Sequence, residues 1–526
     1  MTGAKTGVSS WVARQLTMAL FPLLLAVGIG VPVRVEAHPA QTFGADKWLV
    51  YGTAFTRRRD DAVPGGGVVD VQPRAKPGEP WSSGAGLVVP GAIASGERVT
   101  AVFWARAARP TPLTIALQGG APDYVRFASA EVALTPAWQR VSVSGTAPAD
   151  FASGTRSLSV PLGQANGEVS LGPVAFLRGA AGRAAVADAF AGFRPAGVAV
   201  DVRIQSEPGV VLAGTLYLPS GHFKGPYPIA VLIQGHGPNG RGGYSPIIER
   251  LSADGIASLE YDKRGIGQST GTYDEDLERL TADAAAAVAA MRRRPEIARS
   301  RIALVGHSQG GVIAPAVAAA DPGIAAVVTL GGSVGNGLPY LGRALRSQMH
   351  FAGRPEAVAD PAVDSAITLL QARIDGKDAE TISRLRSGVV DRFEAAGFTR
   401  AQAERGLAMI DTPEAWTVNK LRSASDLNAL HIPVLAIFGA RDPLVVAAAE
   451  APAARAALAG NPRARVVVLD GLSHWFQEGA VTGGAEEASR LGPNLGSPRL
   501  VTLVGDWLRD ALAPKTGKKA GDARER

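Results

Sequence analysis

The stretch Arg301-Ile302-Ala303-Leu304-Val305-Gly306-His307-Ser308-Gln309-Gly310-Gly311-Val312-Ile313-Ala314 decides how this chain reads. An apolar, β-branched run enters a Gly-x-Ser-x-Gly pentapeptide and leaves through an Ala-rich segment, which predicts strand, tight turn and helix with a serine at the apex. Such a turn strains the serine backbone and lifts its hydroxyl out of the sheet. Gly306 and Gly310 would let strand and helix pass without a Cβ clash. Glycine makes up 63 of 526 residues, so chance matches are expected, and two occur: Gly267-Gln268-Ser269-Thr270-Gly271 and Gly331-Gly332-Ser333-Val334-Gly335. The first follows a loop, Asp262 to Ile266; the second follows a strand but runs into Gly335-Asn336-Gly337-Leu338-Pro339 with no immediate helix. Only Ser308 has a strand before it and a helix directly after. It is the candidate nucleophile.

A serine hydroxyl needs a base in hydrogen-bond reach, itself oriented by an acid. Of the 7 histidines, His38 lies near an expected processing site, and His222 and His350 sit in ordinary polar surroundings. His307 lies inside the elbow and is expected to point away from Ser308, while His431 directly precedes the strand Ile432–Phe438. His474 follows the strand Val466–Leu469 through Asp470-Gly471-Leu472-Ser473, on a loop at a strand's C-terminal end. Any single histidine is more often a packing residue, but the order serine, acid, histidine makes His474 the candidate base. The candidate acid is Asp442, in Gly439-Ala440-Arg441-Asp442-Pro443 just past the strand Ile432–Phe438, where Pro443 stiffens the loop. An aspartate before proline is also a common turn residue. Asp470, four residues from His474, and Glu450, in an Ala-rich helical stretch, are the alternatives.

Acyl transfer also needs donors for the developing oxyanion. The backbone N–H of Gln309, at the start of the elbow helix, is one candidate. The other should come from Gln234-Gly235-His236-Gly237-Pro238-Asn239-Gly240, after the strand Ile229–Ile233. Two registers are open: one places the donor on Pro238, which has no N–H, the other on the His236 amide. The chemistry favours His236, through its backbone.

From about 197 to 513 the chain resembles the α/β-hydrolase superfamily, specifically bacterial lid-bearing carboxylesterases. The resemblance is carried by Val200–Ile204 with Val210–Pro219, by Gly235-His236-Gly237-Pro238, by Tyr261 through Ser269, and by the elbow. Gln234 departs from the histidine or small residue such esterases often carry there. The resemblance implies a doubly wound, mostly parallel α/β sheet with a lid. The segment between the strands Ala325–Leu330 and Ile432–Phe438 runs to about 100 residues, longer than a core connection usually needs. It shows helical spacing over Asp364–Ile374, Ala379–Phe393 and Ala401–Met409 and is expected to form that lid, about 333–430. Tyr340, Met349, Phe351 and Trp416 are candidates to line its pocket.

Residues 38–180 have another grammar. Short alternating runs, among them Arg98–Arg106, Leu113–Leu117, Gln139–Val143 and Ser157–Leu162, are separated by Gly, Pro and Asp turns, which predicts an all-β sandwich. Together, Gly96–Arg106, Pro136–Val141 and Gly167–Val174 resemble jelly-roll carbohydrate-binding modules of the galactose-binding-like type. That likeness implies a fold more than a ligand. Trp48, Tyr51, Trp81 and Tyr124 are the aromatics that could stack on a sugar, while Trp104 and Trp138 are expected between the sheets. An Ala- and Gly-rich stretch, 181–196, is expected as a linker.

Composition sets the remaining bounds. Residues 1–37 read as a secretory signal: Lys5 and Arg14, an apolar run Leu16–Gly30, then Val35-Glu36-Ala37 for cleavage. The run is shorter than the about 20 residues of a spanning helix and is interrupted by Pro22, so no stable membrane anchor is expected after processing. Secretion or a periplasmic location follows as the expectation. The chain has no cysteine, so neither disulfides nor a thiol nucleophile is available. Its formal charge is +7. The leader carries a net +2 and the tail 514–526, expected to be disordered, a further +3, so only about +2 remains for the body, too little for a nucleic-acid-binding face. No cofactor or metal is expected.

The function expected is a secreted serine esterase acting on a small ester or an acylated sugar, with Ser308, His474 and Asp442 as its triad. Two rivals stand beside it. A serine peptidase of the prolyl-oligopeptidase kind shares fold and order, but its propeller repeats of roughly 40–50 residues are not seen here. A carbohydrate-binding protein on an inactive hydrolase scaffold would have no need to keep all three side chains.

Overall fold

The computed structural model describes residues 40–514, apart from 75, 77, 120–123, 153, 155, 194, 196, 220–222, 336 and 413–421. The expected leader 1–37, all of the expected tail except Pro514, and Trp416 of the lid lie outside the described residues.

The N-terminal region folds as two antiparallel sheets. One contains Ala54–Arg59, Gly67–Gln72, Val169–Arg178, Arg98–Ala107 and Gln139–Thr146 in that spatial order, with Gln41–Phe43 added to Val169–Arg178. The other runs Leu49–Tyr51, Gly84–Val88, Arg156–Pro161, Thr111–Gly119, Arg126–Leu134. Alternation along the strands fills the space between: Val99, Ala101, Phe103 and Ala105 meet Ile115, Leu117, Leu158 and Val160.

Three aromatic expectations are corrected here. Trp48 is no sugar platform: it is 2% exposed, packs edge-on to Phe103 at 5.4 Å and donates its indole N–H to the Gly172 carbonyl at 2.8 Å. Trp104 does not fill the gap between the sheets either. Its neighbour Phe103 does, and because side chains alternate along a strand, Trp104 faces outward. There it is covered by the segment expected as a linker. Residues 181–193 form a packed strap: a short helix, Arg183–Ala187, followed by Phe190 and Phe193, both buried against Val102, Ala175 and Leu177. Trp138 is not between the sheets either: Arg106, whose neighbours Ala105 and Ala107 face the core, lies over its ring at 4.8 Å, and its indole donates to Asp60 at 3.3 Å. Tyr51, Trp81 and Tyr124 remain exposed, at 41%, 63% and 56%.

The C-terminal region is built on one eight-stranded sheet. We label its strands β1 (Gly197–Glu207), β2 (Val210–Pro219), β3 (Tyr227–Ile233), β4 (Ala257–Tyr261), β5 (Ile297–His307), β6 (Ile324–Leu330), β7 (Val434–Gly439) and β8 (Ala464–Leu469). The order is β1-β2-β4-β3-β5-β6-β7-β8, with β2 antiparallel to both its neighbours and the rest parallel. The central parallel strands are apolar on both faces because both are covered. Helices Leu277–Arg292, Gly310–Ala320 and Ala447–Ala457 close one side, and Ser245–Ala253 with Pro498–Ala511 the other. Between β6 and β7, over the stretch expected as a lid, stand five helices among the described residues: Gly337–Phe351, Glu356–Ile374, Ala379–Ala395, Arg400–Ile410 and Ser423–Asn428. The first of these was not anticipated, since Gly337, Pro339 and Gly342 break its helical pattern.

The sandwich is tied to the sheet through Asp201 of β1. Its carboxylate accepts the Arg57 backbone N–H at 2.8 Å and pairs with the guanidinia of Arg57 at 3.5 Å and Arg241 at 3.4 Å. Lys47 reaches Glu249 at 3.0 Å across the same seam.

Candidate active site

Three parallel strands deliver three side chains to one rim of the sheet, the carboxyl-end rim where open α/β sheets bind ligands. Ser308 follows β5 directly, Asp442 lies in the loop after β7, and His474 in the loop after β8. Ser308 holds φ at +54°, a left-handed conformation that costs a serine energy and persists only where the surroundings impose it. The elbow's glycines are what permit it. A Cβ on Gly306 would lie 1.9 Å from the Gly310 carbonyl oxygen, and one on Gly310 2.0 Å from that of Ile233. The Ser308 N–H is held by the Leu330 carbonyl at 2.8 Å, fastening the turn to β6.

The three side chains form one hydrogen-bonded line. Asp442 Oδ1 accepts the backbone N–H groups of Leu444 and Val445, each at 2.8 Å, which fixes the carboxylate plane. Its Oδ2 accepts from His474 Nδ1 at 2.7 Å, and His474 Nε2 stands 2.9 Å from Ser308 Oγ. A carboxylate can only accept here, so the imidazole carries its proton on Nδ1 and offers the Nε2 lone pair to the serine hydroxyl. Asp442 and His474 are 2% and 3% exposed, so this polar line lies in a largely dry setting. Gly331, at φ +58°, backs the pair: a Cβ there would come 3.3 Å from Asp442 Oδ2 and 3.5 Å from His474 Nδ1.

The alternative residues are occupied elsewhere. Glu450, buried at 1% exposure, accepts from the Val334 and Gly335 amides at 2.8 and 2.7 Å and from Arg343 at 3.0 Å, anchoring the start of the lid. Asp470 is exposed. Ser269 accepts the Ala213 N–H at 2.9 Å and donates to the Asp262 carbonyl at 2.8 Å, a stitch between β2 and the following loop. Ser333 is buried and bonded to Tyr340. His307 donates its Nε2–H to the His474 carbonyl at 2.8 Å, its ring 5.0 Å from that of His474. Burial first, and the nearby His474 second, hold its pKa down at about 3, so it stays neutral.

The loop after β3 runs against Ser308: a Cβ on Gly235 would lie 3.1 Å from Ser308 Cβ. Asn239 donates its amide to the carbonyls of Gly235 and His236 at 3.0 and 2.8 Å, and buried Gln234 bonds the Gly240 carbonyl. The Gln234 that departs from the esterase pattern thus closes the loop from within. Among the described residues, neither the His236 nor the Gln309 backbone N–H donates to another group. The His236 imidazole turns outward, 70% exposed, toward Glu275 at 3.4 Å.

Sequence reasoning missed Lys263 and Glu275. The Lys263 ammonium, buried at 5% side-chain exposure, bonds both oxygens of Glu275 at 3.1 Å and the Gln309 side-chain oxygen at 3.0 Å. Burial pulls the lysine below its usual pKa, with Glu275 opposing. Burial alone would raise Glu275, but hydrogen bonds from His236 and Tyr273 and the lysine's charge outweigh it and hold the carboxyl at about 2. Lys263 sits within the quoted Tyr261–Ser269 motif; Glu275 is an ordinary acid ahead of a helix and carried no signal. Among the described residues, no group of three or more His, Cys, Asp or Glu is placed to hold a metal ion.

Residues 227–381 match the family described as serine aminopeptidase, S33. Esterase EstD of Thermotoga maritima is 31% identical over 115 residues, 20% of this chain and 27% of its own length. Thiohydrolase apmlB of Arthrinium phaeospermum is 28% identical over 145 residues, 26% of this chain and 43% of its own. The chain therefore spans about a quarter to two-fifths of the curated relatives it matches. Among solved structures, the Pyrococcus furiosus esterase Pf2001 has 18% identity and a TM-score of 0.37, covering 60% of this chain and 91% of that one. Sheet order and family match agree. The C-terminal domain has the α/β-hydrolase fold. The matched region begins at β3 and ends in the helix Ala379–Ala395, taking in the turn at Ser308 and the loop after β3 but neither Asp442 nor His474.

Proposed function

We propose that this protein is a carboxylic-ester hydrolase working through an acyl-enzyme on Ser308. The observation that carries the reading is the unbroken line from Ser308 Oγ through His474 to Asp442, at 2.9 and 2.7 Å, with the serine at φ +54°. In the first half-reaction Ser308 Oγ attacks the ester carbonyl carbon as its proton passes to His474 Nε2. The carbonyl oxygen becomes an oxyanion received by the His236 and Gln309 amides. Collapse of the tetrahedral species breaks the carbonyl–alkoxy bond, and the alcohol leaves with the proton from His474. Water then repeats the sequence on the acyl-serine and releases the acid. Asp442 holds the imidazole in its working tautomer and stabilises the imidazolium.

A peptidase reading is favoured by the matched family's description and opposed by the charges at the site. An aminopeptidase needs free carboxylates for the substrate's ammonium, whereas Glu275, Asp442 and Glu450 are engaged by Lys263, His474 and Arg343. We further propose export, from the leader read in the sequence, and a jelly-roll assignment for the sandwich. Exposed Tyr51, Trp81 and Tyr124 support a glycan-facing role for that domain. The test of the main reading is Ser308→Ala. Hydrolysis of p-nitrophenyl acetate should fall by on the order of 10⁴ or more with folding intact. Retained turnover, or loss instead in Ser269→Ala or Ser333→Ala, would refute it. Longer p-nitrophenyl esters and acetylated sugars then map the substrate class.

A further inference from the structure

We infer that the buried Lys263–Glu275 ion pair is the positioning device for the oxyanion site, locking both donor amides into register with Ser308. The inference rests on the esterase reading and adds residues to it that touch neither substrate nor nucleophile. Its basis is that one ion pair grips both halves of the site. Glu275 Oε1 accepts the Gly237 N–H at 2.9 Å, and the same carboxylate meets the His236 ring at 3.4 Å. Asn239 pulls the Gly235 and His236 carbonyls to its own side of the loop, and its own carbonyl accepts the Lys263 backbone N–H at 3.4 Å. In a trans peptide the N–H points opposite to the carbonyl, so holding the Gly235 carbonyl aims the His236 N–H away from Asn239. On the other half, the Lys263 ammonium holds the side chain of Gln309, whose own N–H is the second donor.

The charges matter as well as the contacts. As a pair, Lys263 and Glu275 add no net charge beside a site where negative charge develops. Either alone would, because both are buried. Removing the ammonium leaves a carboxylate that repels the oxyanion. Removing the carboxylate leaves a cation that attracts it but loosens the Gly237 anchor. The two losses are therefore unequal, and the lysine's is the larger.

The test uses full-length Lys263→Met, Glu275→Gln and the double variant, with Ser308→Ala as a separate control. With p-nitrophenyl acetate, kcat should fall about 10²-fold in Lys263→Met, as for a slightly misplaced oxyanion site. It should fall about tenfold in Glu275→Gln, with KM within about twofold in both. The double variant should recover to about a tenfold loss, far better than the product of the singles, because no unpaired charge remains. Affinity for a trifluoromethyl ketone, whose serine adduct carries an oxyanion, should weaken in step with kcat/KM, a readout that a merely structural role would not move. Unfolding temperatures identify any variant that fails to fold; for such a variant the double substitution carries the comparison. Singles within threefold of wild type, or losses that multiply in the double, overturn the inference and leave the esterase reading standing. An active Ser308→Ala overturns both.

Discussion

Asp442→Asn offers the sharpest probe of the site, because the structure dictates which way the new amide must turn. Asp442 Oδ1 receives two backbone N–H groups, from Leu444 and Val445, at 2.8 Å. An amide nitrogen placed there would confront two donors with a third, so the asparagine oxygen takes that position and its NH₂ faces His474 Nδ1. Nδ1 must then accept, and the imidazole proton moves to Nε2, the nitrogen 2.9 Å from Ser308 Oγ. A protonated Nε2 cannot take the serine's proton. Loss of the correct tautomer in a triad of this geometry costs about 10⁴ in kcat, or roughly 5 kcal/mol of transition-state stabilisation. Substrate binding is untouched, so KM for p-nitrophenyl acetate should stay within about twofold. Because the side chain keeps its shape and its two loop bonds, the unfolding temperature should move by no more than about 2 °C, the shift expected of about 1 kcal/mol at most in a domain of this size. Steady-state kinetics with a thermal melt on the same preparation decide the matter. A kcat within tenfold of wild type would refute the tautomer argument, and inactivation by Glu450→Gln instead would move the acid elsewhere.

Three further outcomes follow from the geometry. Gly310→Ala should abolish activity and lower the unfolding temperature, since its Cβ would stand 2.0 Å from the Ile233 carbonyl oxygen; a stable, active variant would contradict the elbow packing. His307 has its pKa held at about 3 in the folded chain against an ordinary 6.5. The unfolded state therefore binds the extra proton first, so stability is full above about pH 6.5 and is lost as pH falls toward 3. Thermal melts between pH 8 and 4 should show a shallower decline for His307→Gln than for wild type; equal slopes would show that His307 does not carry the effect. A chain beginning near residue 197 should keep hydrolysis of small soluble esters, because every residue we propose for the triad and the oxyanion site lies beyond that point. It should melt lower through loss of the Asp201 ties to Arg57, and equal activity of both chains on acetylated polysaccharide would remove the case for glycan targeting.

What the sequence made legible here are the features that steric or order rules constrain tightly. A Gly-x-Ser-x-Gly between strand and helix admits few backbones, so the position of Ser308 could be read without coordinates. The positions of Asp442 and His474 followed because each sits just past a recognisable apolar strand. The sandwich showed through period-two alternation, but which face a residue takes shifts with a single step of register. Phe103 and Trp104 illustrate this: both are large and apolar, and only the folded sheet shows which of them points inward. The strap at 181–193 was hidden for a different reason. Its Gly and Ala content resembles a linker, and two phenylalanines, Phe190 and Phe193, are enough to pin it because the sheet they cover offers an apolar face.

The supporting electrostatics were hidden most completely, and the reason is physical. Lys263 and Glu275 lie 12 residues apart on loop segments, and nothing in either local sequence marks a buried ion rather than a solvated one. Their meaning comes from the loop at 234–240, which brings Gly237 to the carboxylate while the elbow brings Gln309 to the ammonium. A buried pair of this kind costs desolvation that contacts of this length only partly offset, so stability alone gives little reason for it. Its position between the two amides we propose as oxyanion donors gives a functional one. Ser308, His474 and Asp442 are each set by the strand that precedes them, whereas in our proposal the register of the His236 and Gln309 amides is set by an interaction between loops.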